Sequence, residues 1–85
     1  MDTEVPHIVY ILECRDSTLY VGCTNNLQKR LKEHNTSKAG AHYTKIRRPV
    51  VLMYSETYST LSEARRREAE LKRFSRKEKL ALIQA

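Results

Sequence analysis

The chain predicts an α/β fold of the α+β kind, a three-stranded and mainly antiparallel sheet flanked by helices in the order β-β-α-β-α-α. Three observations carry this expectation. Segments rich in β-branched and aromatic residues lie at His7–Cys14, Leu19–Cys23 and Val50–Tyr58, and that composition suits a pleated, half-buried surface. The first two are separated only by the polar run Arg15-Asp16-Ser17-Thr18, so they form a hairpin. The pattern of Ser or Thr followed three residues later by Glu opens a helix at Thr60 with Glu63, and again at Ser75 with Glu78.

Each element follows in order. A three-residue turn at Asp16-Ser17-Thr18 pairs hairpin residues whose numbers sum to 34, which places Tyr10, Tyr20 and Gly22 on one face. A two-residue turn would part the two tyrosines. Thr24-Asn25-Asn26 supplies capping oxygens, with Asn25 as the expected N-cap, and Leu27 to His34 reads as a short helix. Residues 35–48 mix Gly, Ser and Asn with basic side chains and show no period, which reads as a long surface loop with room for one helical turn. Pro49 then starts a third strand, central or beside the hairpin, because proline is tolerated at a first strand position. Helices from about Leu61 to Arg73 and from Ser75 to about Ile83 close the chain.

With 85 residues the chain is one domain, 1–85, with an ordered core over about 7–84. A domain of this size has a thin core. No apolar run approaches the roughly 18 residues of a membrane span, so a membrane partner is not expected. The start, Met1-Asp2-Thr3-Glu4-Val5-Pro6, lacks the basic and apolar regions of a signal peptide, and a cytoplasmic location is expected. In that reducing setting Cys14 and Cys23, which lack a CxxC spacing, are expected as free thiols in or near the core.

Net charge is +6, and eight basic residues fall between positions 65 and 79: Arg65, Arg66, Arg67, Lys72, Arg73, Arg76, Lys77 and Lys79. This points to a polyanionic partner, with Arg65, Arg66 and Arg67 expected to strengthen binding. Glu63, Glu68, Glu70 and Glu78 are interleaved, so a solvated, internally paired helix face is the other reading.

Some side chains break the pattern of their own element. In the first helix the i, i+3, i+4, i+7 spacing gathers Leu27, Arg30, Leu31 and His34, bringing a guanidinium and an imidazole to the border of the apolar stripe. Arg30 either lays its stem on apolar surface or grips an anion. In the second helix the stripe Leu61, Ala64, Glu68, Leu71 contains one acid. An inward carboxylate needs neutralising, by Lys72 one turn on or by a metal ion.

Taken together, Ile8-Val9-Tyr10, Tyr20-Val21-Gly22, the run Cys23-Thr24-Asn25-Asn26-Leu27-Gln28-Lys29-Arg30, then His34 and the helical Glu68 resemble the GIY-YIG nuclease superfamily over essentially the whole chain. Among its members the small stand-alone bacterial ones, similar to the UvrC nuclease domain, are nearest in layout. The chain departs from the pattern at Ile8, which replaces Gly. It departs again at Cys23, where several members carry Lys, and near Leu80, where some carry Asn.

The resemblance implies a metal-dependent endonuclease that hydrolyses phosphodiester bonds, with Tyr10, Tyr20, Arg30, His34 and Glu68 as catalytic residues. It implies that Tyr20 orients or deprotonates the attacking water and that Tyr10 hydrogen-bonds the phosphate or that water. Arg30 would offset transition-state charge, and His34 would assist the base or hold the phosphate. Glu68 would hold one divalent cation, Mg2+ or Mn2+. A tyrosine pKa of about 10 makes Tyr20 a poor base at neutral pH unless nearby cations lower it. Expected nucleic-acid contacts are Gly22, Thr24, Asn26, His42, Tyr43, Lys45, Arg65, Lys72 and Arg76. The expected substrate is DNA rather than RNA, single-stranded or structured, because nothing resembles a helix for reading the major groove. No obligate protein partner is evident. The alternatives are a nucleic-acid-binding module of the same fold without turnover, and a partner-binding domain that uses the basic C-terminal helices.

Overall fold

The computed structural model describes residues 6–36 and 42–85, with His42 described by its backbone alone. Strands β1 (His7–Glu13), β2 (Leu19–Thr24) and β3 (Val51–Tyr58) form one antiparallel sheet in the order β2-β1-β3. The hairpin's first strand is therefore central, and β3 lies beside it at the edge. Four consecutive β1 residues, Val9, Tyr10, Ile11 and Leu12, are buried, as a strand covered on both faces requires.

The expected hairpin parity holds, but the register is displaced by two. Tyr10 pairs with Gly22 and Leu12 with Tyr20, so partners sum to 32. The three-residue turn is Arg15-Asp16-Ser17 and not Asp16-Ser17-Thr18. It is closed by Cys14 N–H to the Thr18 carbonyl at 2.9 Å, with Ser17 in the left-handed region at φ 70°. That is the usual end of a three-residue hairpin loop. The Asp16 carboxylate selects it by accepting the Thr18 hydroxyl at 2.6 Å and the Thr18 backbone N–H at 3.1 Å.

Helix α1 (Leu27–Thr36) and the single turn α2 (His42–Lys45) cover one sheet face, and α3 (Leu61–Lys72) and α4 (Arg76–Gln84) cover the other. The first face packs Tyr10, Leu12, Cys14 and Val50 with Tyr20, Leu27, Leu31, Tyr43 and Leu52. The second packs Val9, Ile11 and Val21 with Ala64, Leu71, Phe74, Leu82 and Ile83. Both cysteines are free, Cys14 buried and Cys23 half-buried. Among the described residues no helix is long and apolar enough to cross a membrane.

The N-cap of α1 is Asn26 and not Asn25. Asn26 Oδ1 accepts the Lys29 N–H at 3.1 Å, while Thr24 Oγ1 accepts the Asn26 N–H at 3.1 Å, so the side chain one residue later reaches the orphan donors. At α4 the capping box is complete, with Ser75 Oγ accepting Glu78 N–H at 3.1 Å and Glu78 Oε1 accepting Ser75 N–H at 2.7 Å. At α3 Thr60 accepts the Glu63 N–H, and the Glu63 carboxylate turns to the Ser59 hydroxyl. Leu61, expected in the stripe, is 43% exposed, because the first residue of α3 lies beyond the part that packs on the sheet.

The segment entering β3 is pinned to the end of α1. Asn35 accepts the Val50 N–H at 2.7 Å and donates to the Val50 carbonyl at 3.1 Å. Arg48 donates to the carbonyls of His34 and Glu33, satisfying acceptors at the end of α1 that have no partner within it. Glu56 on β3 receives both arms of Arg67, at 2.9 and 3.0 Å, and the hydroxyls of Tyr54 and Tyr58. Arg67 also donates to Glu70 at 2.9 Å. The guanidinium ties α3 to β3, which corrects the expectation that Arg67 serves a polyanion.

Candidate active site

The pairing of Tyr10 with Gly22 starts the site. A side chain at position 22 would occupy the space of the Tyr10 ring, so glycine here is a packing requirement. The ring crosses it and brings Tyr10 Oη to 2.8 Å from His34 Nε2, while His34 Nδ1 lies 2.7 Å from Thr44 Oγ1. His34 and Thr44 are 0% exposed and Tyr10 is 1% exposed. Tyr20 meets the His34 ring edge-on at 5.3 Å between centroids, and Tyr10 does so at 5.9 Å. On its other side Tyr20 stacks on Tyr43 at 5.9 Å, and the Arg47 guanidinium lies 3.9 Å from the Tyr43 ring centre.

Arg30 pairs with Glu33 at 3.0 Å, and its charge acts on the Tyr10 hydroxyl. The even spacing of β1 and β2 and the four-residue step of α1 thus bring Tyr10, Tyr20, Arg30 and His34 together as the sequence predicts. Burial pushes the Tyr10 hydroxyl up to about 12, with Arg30 opposing it. Burial, then the Arg30 charge, pulls His34 down to about 4. At neutral pH the pair is therefore a protonated phenol beside a neutral imidazole. His34 is fully buried, and one of its ring nitrogens meets the Tyr10 hydroxyl. Tyr20, Arg30 and Glu68 are half-buried and within reach of solvent.

Glu68 stands on α3, which packs on the opposite sheet face, yet its charge acts on both Tyr10 and Cys23. It lines a groove of about 620 Å³ with His7, Cys23, Thr24, Asn25, Arg65 and Lys72. Its Oε2 lies 3.1 Å from Lys72 Nζ, so the lysine pairing anticipated from the i, i+4 spacing forms. Burial and then the Glu68 charge raise the Cys23 thiol.

The expected nucleic-acid contacts divide. Thr24, Arg65 and Lys72 line the Glu68 groove. Gly22 is buried under Tyr10, and Asn26 spends its side-chain carbonyl on the helix cap. Tyr43 is enclosed by Tyr20 and Arg47, and Lys45 is half-buried on α2. Arg76 donates to the Ser17 carbonyl near Tyr43 and Lys79, outside the Glu68 groove. The side chain of His42 lies outside the described residues. Thr44 carried no signal in the sequence, since it sits in a segment without periodicity and meets His34 only through the docking of α2 on α1.

The family profile of the GIY-YIG catalytic domain matches residues 6–81, and the chain belongs to that family. Its curated relatives include the UPF0213 protein SH2523 of Staphylococcus haemolyticus, 55% identical over 78 residues, covering 92% of this chain and 94% of that protein. A UPF0213 protein of Syntrophus aciditrophicus is 59% identical over 75 residues, covering 88% and 86%. Among solved structures, the solution structure of the UPF0213 protein BH0048 from Bacillus halodurans is 40% identical with a TM-score of 0.60, covering 93% of this chain and 83% of that one. That of EF2693 from E. faecalis is 38% identical with a TM-score of 0.66, covering 99% and 88%. The chain is thus a small member of a nuclease domain family, and the family implies a nucleic-acid substrate.

Proposed function

We propose that the protein is an endonuclease that hydrolyses phosphodiester bonds of DNA, single-stranded or structured, with one divalent cation, in the cytoplasm. The observation that carries this reading is the convergence on the Tyr10 hydroxyl, which is hydrogen-bonded to His34 and lies within the fields of Arg30 and Glu68. The Glu68 charge acts on that hydroxyl from a neighbouring groove that Arg65 and Lys72 also line and to which Tyr10, Tyr20, Arg30 and His34 do not contribute.

The donor set fits magnesium or manganese. Glu68 offers one carboxylate that is 23% exposed in the groove, and among the described residues no three His, Cys, Asp or Glu side chains cluster for a metal ion. Magnesium suits such a site because it is commonly held by one or two carboxylates with substrate phosphate and water completing its shell. When bound, the ion polarises the phosphate and stabilises the leaving oxygen. Tyr20, half-buried against the His34 ring, orients the attacking water or, as the phenolate, accepts its proton. Arg30, paired with Glu33, faces the charge that grows on the phosphoryl oxygens. Arg65 and Lys72 hold the flanking backbone.

A binding module without turnover is the second reading, favoured by the Lys72 ammonium that occupies the Glu68 carboxylate. The two separate when purified protein is incubated with single-stranded, duplex and branched DNA and with RNA, in Mg2+, Mn2+ or EDTA. Cleavage of DNA that EDTA stops and that Glu68→Gln abolishes, with binding and fold retained, supports the nuclease. Binding without cleavage under every condition supports the module. Full metal-dependent activity in Glu68→Gln refutes the ligand assignment.

A further inference from the structure

Thr44 lies on α2, the single turn His42–Lys45 packed on α1, and is fully buried with Oγ1 at 2.7 Å from His34 Nδ1. The other ring nitrogen of His34 lies 2.8 Å from Tyr10 Oη. Each of these contacts joins a nitrogen to a hydroxyl, so their direction depends on which nitrogen carries the proton. The neighbours of Tyr10 decide it. The Arg30 guanidinium, whose charge acts on Tyr10, has no acceptor to offer the phenol proton. A phenol that is 1% exposed needs an acceptor for its O–H, and the structure gives it His34 Nε2.

A phenol is also a stronger donor and a weaker acceptor than an aliphatic hydroxyl, so the imidazole nitrogen facing Tyr10 is better bare and the one facing Thr44 better protonated. The Arg30 charge favours the phenol as a donor, and the two bonds through His34 reinforce one another.

We propose that Thr44 is a positioning residue: it accepts the Nδ1–H of His34, leaves Nε2 bare for the Tyr10 O–H, and thereby turns the lone pairs of Tyr10 Oη toward Arg30. The relay Thr44, His34, Tyr10, Arg30 then sets the guanidinium from inside the fold. The same turn supplies Tyr43 to the Tyr20 ring, so α2 braces both solvent-reaching groups of this face. For its effect on turnover the proposal rests on the nuclease reading above, whereas its structural part does not.

The test has two arms. In the unmodified protein, nitrogen-15 NMR of the His34 ring at neutral pH is expected to show a protonated Nδ1 and a bare Nε2, and a protonated Nε2 overturns the proposal whether or not the protein cleaves DNA. In the second arm Thr44→Val is expected to change the ring's nitrogen signals and to lower kcat by about 10–100-fold with KM little changed, the usual penalty for losing an outer partner of a site. Thr44→Ser, which keeps the hydroxyl, is expected to restore both. A Thr44→Val protein with wild-type ring signals and kcat overturns the proposal. If that variant does not fold, the tautomer of the unmodified protein and the kcat of Thr44→Ser still decide. A wild-type protein inactive on every substrate would defeat the nuclease reading and leave the NMR arm standing.

Discussion

Replacing Gly22 by Ala tests the geometry on which the whole site depends. A Cβ at this position would stand 2.5 Å from Cζ and 2.9 Å from Cε1 of Tyr10, and closer still to its hydroxyl oxygen. Carbon atoms in contact ordinarily lie about 3.5–4.0 Å apart, so the ring has to move by roughly 1 Å. It has little freedom to do so, being 1% exposed and tied to His34 at 2.8 Å. Overpacking of this kind costs about 1–3 kcal/mol. A displaced ring also gives up its bond to His34, worth about 1 kcal/mol.

The expected loss is thus roughly 2–4 kcal/mol out of a total stability of about 5–15 kcal/mol. For a domain of this size each kcal/mol lowers Tm by about 4–8 °C. Urea unfolding followed by circular dichroism measures the loss, and cleavage assayed below the new Tm measures the accompanying fall in turnover. A Gly22→Ala protein with the wild-type midpoint and turnover would refute the claim that Tyr10 crosses position 22 and orders the site.

Other consequences concern single groups. Tyr20→Phe keeps the ring against His34 and Tyr43 and is expected to leave Tm nearly unchanged while lowering the cleavage rate by on the order of 10²–10⁴; normal cleavage would move the base elsewhere. Lys72→Gln removes the ammonium beside Glu68 and is expected to lower the Mg2+ concentration for half-maximal cleavage at saturating DNA by about twofold, the measure of an exposed i, i+4 pair. An unchanged or higher requirement argues against the cation at Glu68.

Acid should destabilise the fold in two windows. His34 is held below its ordinary value, so the unfolded chain takes up its proton first, and stability falls as pH drops from 6.5 toward about 4. Glu56, held down to about 2 by Arg67 and the two tyrosine hydroxyls, adds stability that is full above 4.5 and lost as pH falls through about 2. Glu56→Gln should flatten the lower window alone, and His34→Gln the upper one alone, in unfolding free energies measured across pH.

The sequence by itself determined the strands, the helices, the N-caps of α3 and α4, and four members of the candidate site. These depend on local periods: two residues per strand step put Tyr10, Tyr20 and Gly22 on one face, and four residues per helical step put Arg30 and His34 on one stripe. An error of one residue in the turn left the faces unchanged, because the register moved by an even number.

Tertiary structure decided what no local period carries. The central place of β1 follows from which edges find partners, and the capture of Arg67 by Glu56 joins residues eleven apart on different elements. The meeting of Thr44 with His34 depends on α2 docking over α1, and the reach of Glu68 to Tyr10 depends on α3 packing across the other face of the sheet. Such contacts join groups distant in the chain, and their free energy comes from burial and mutual polar satisfaction that exist only once the elements have packed.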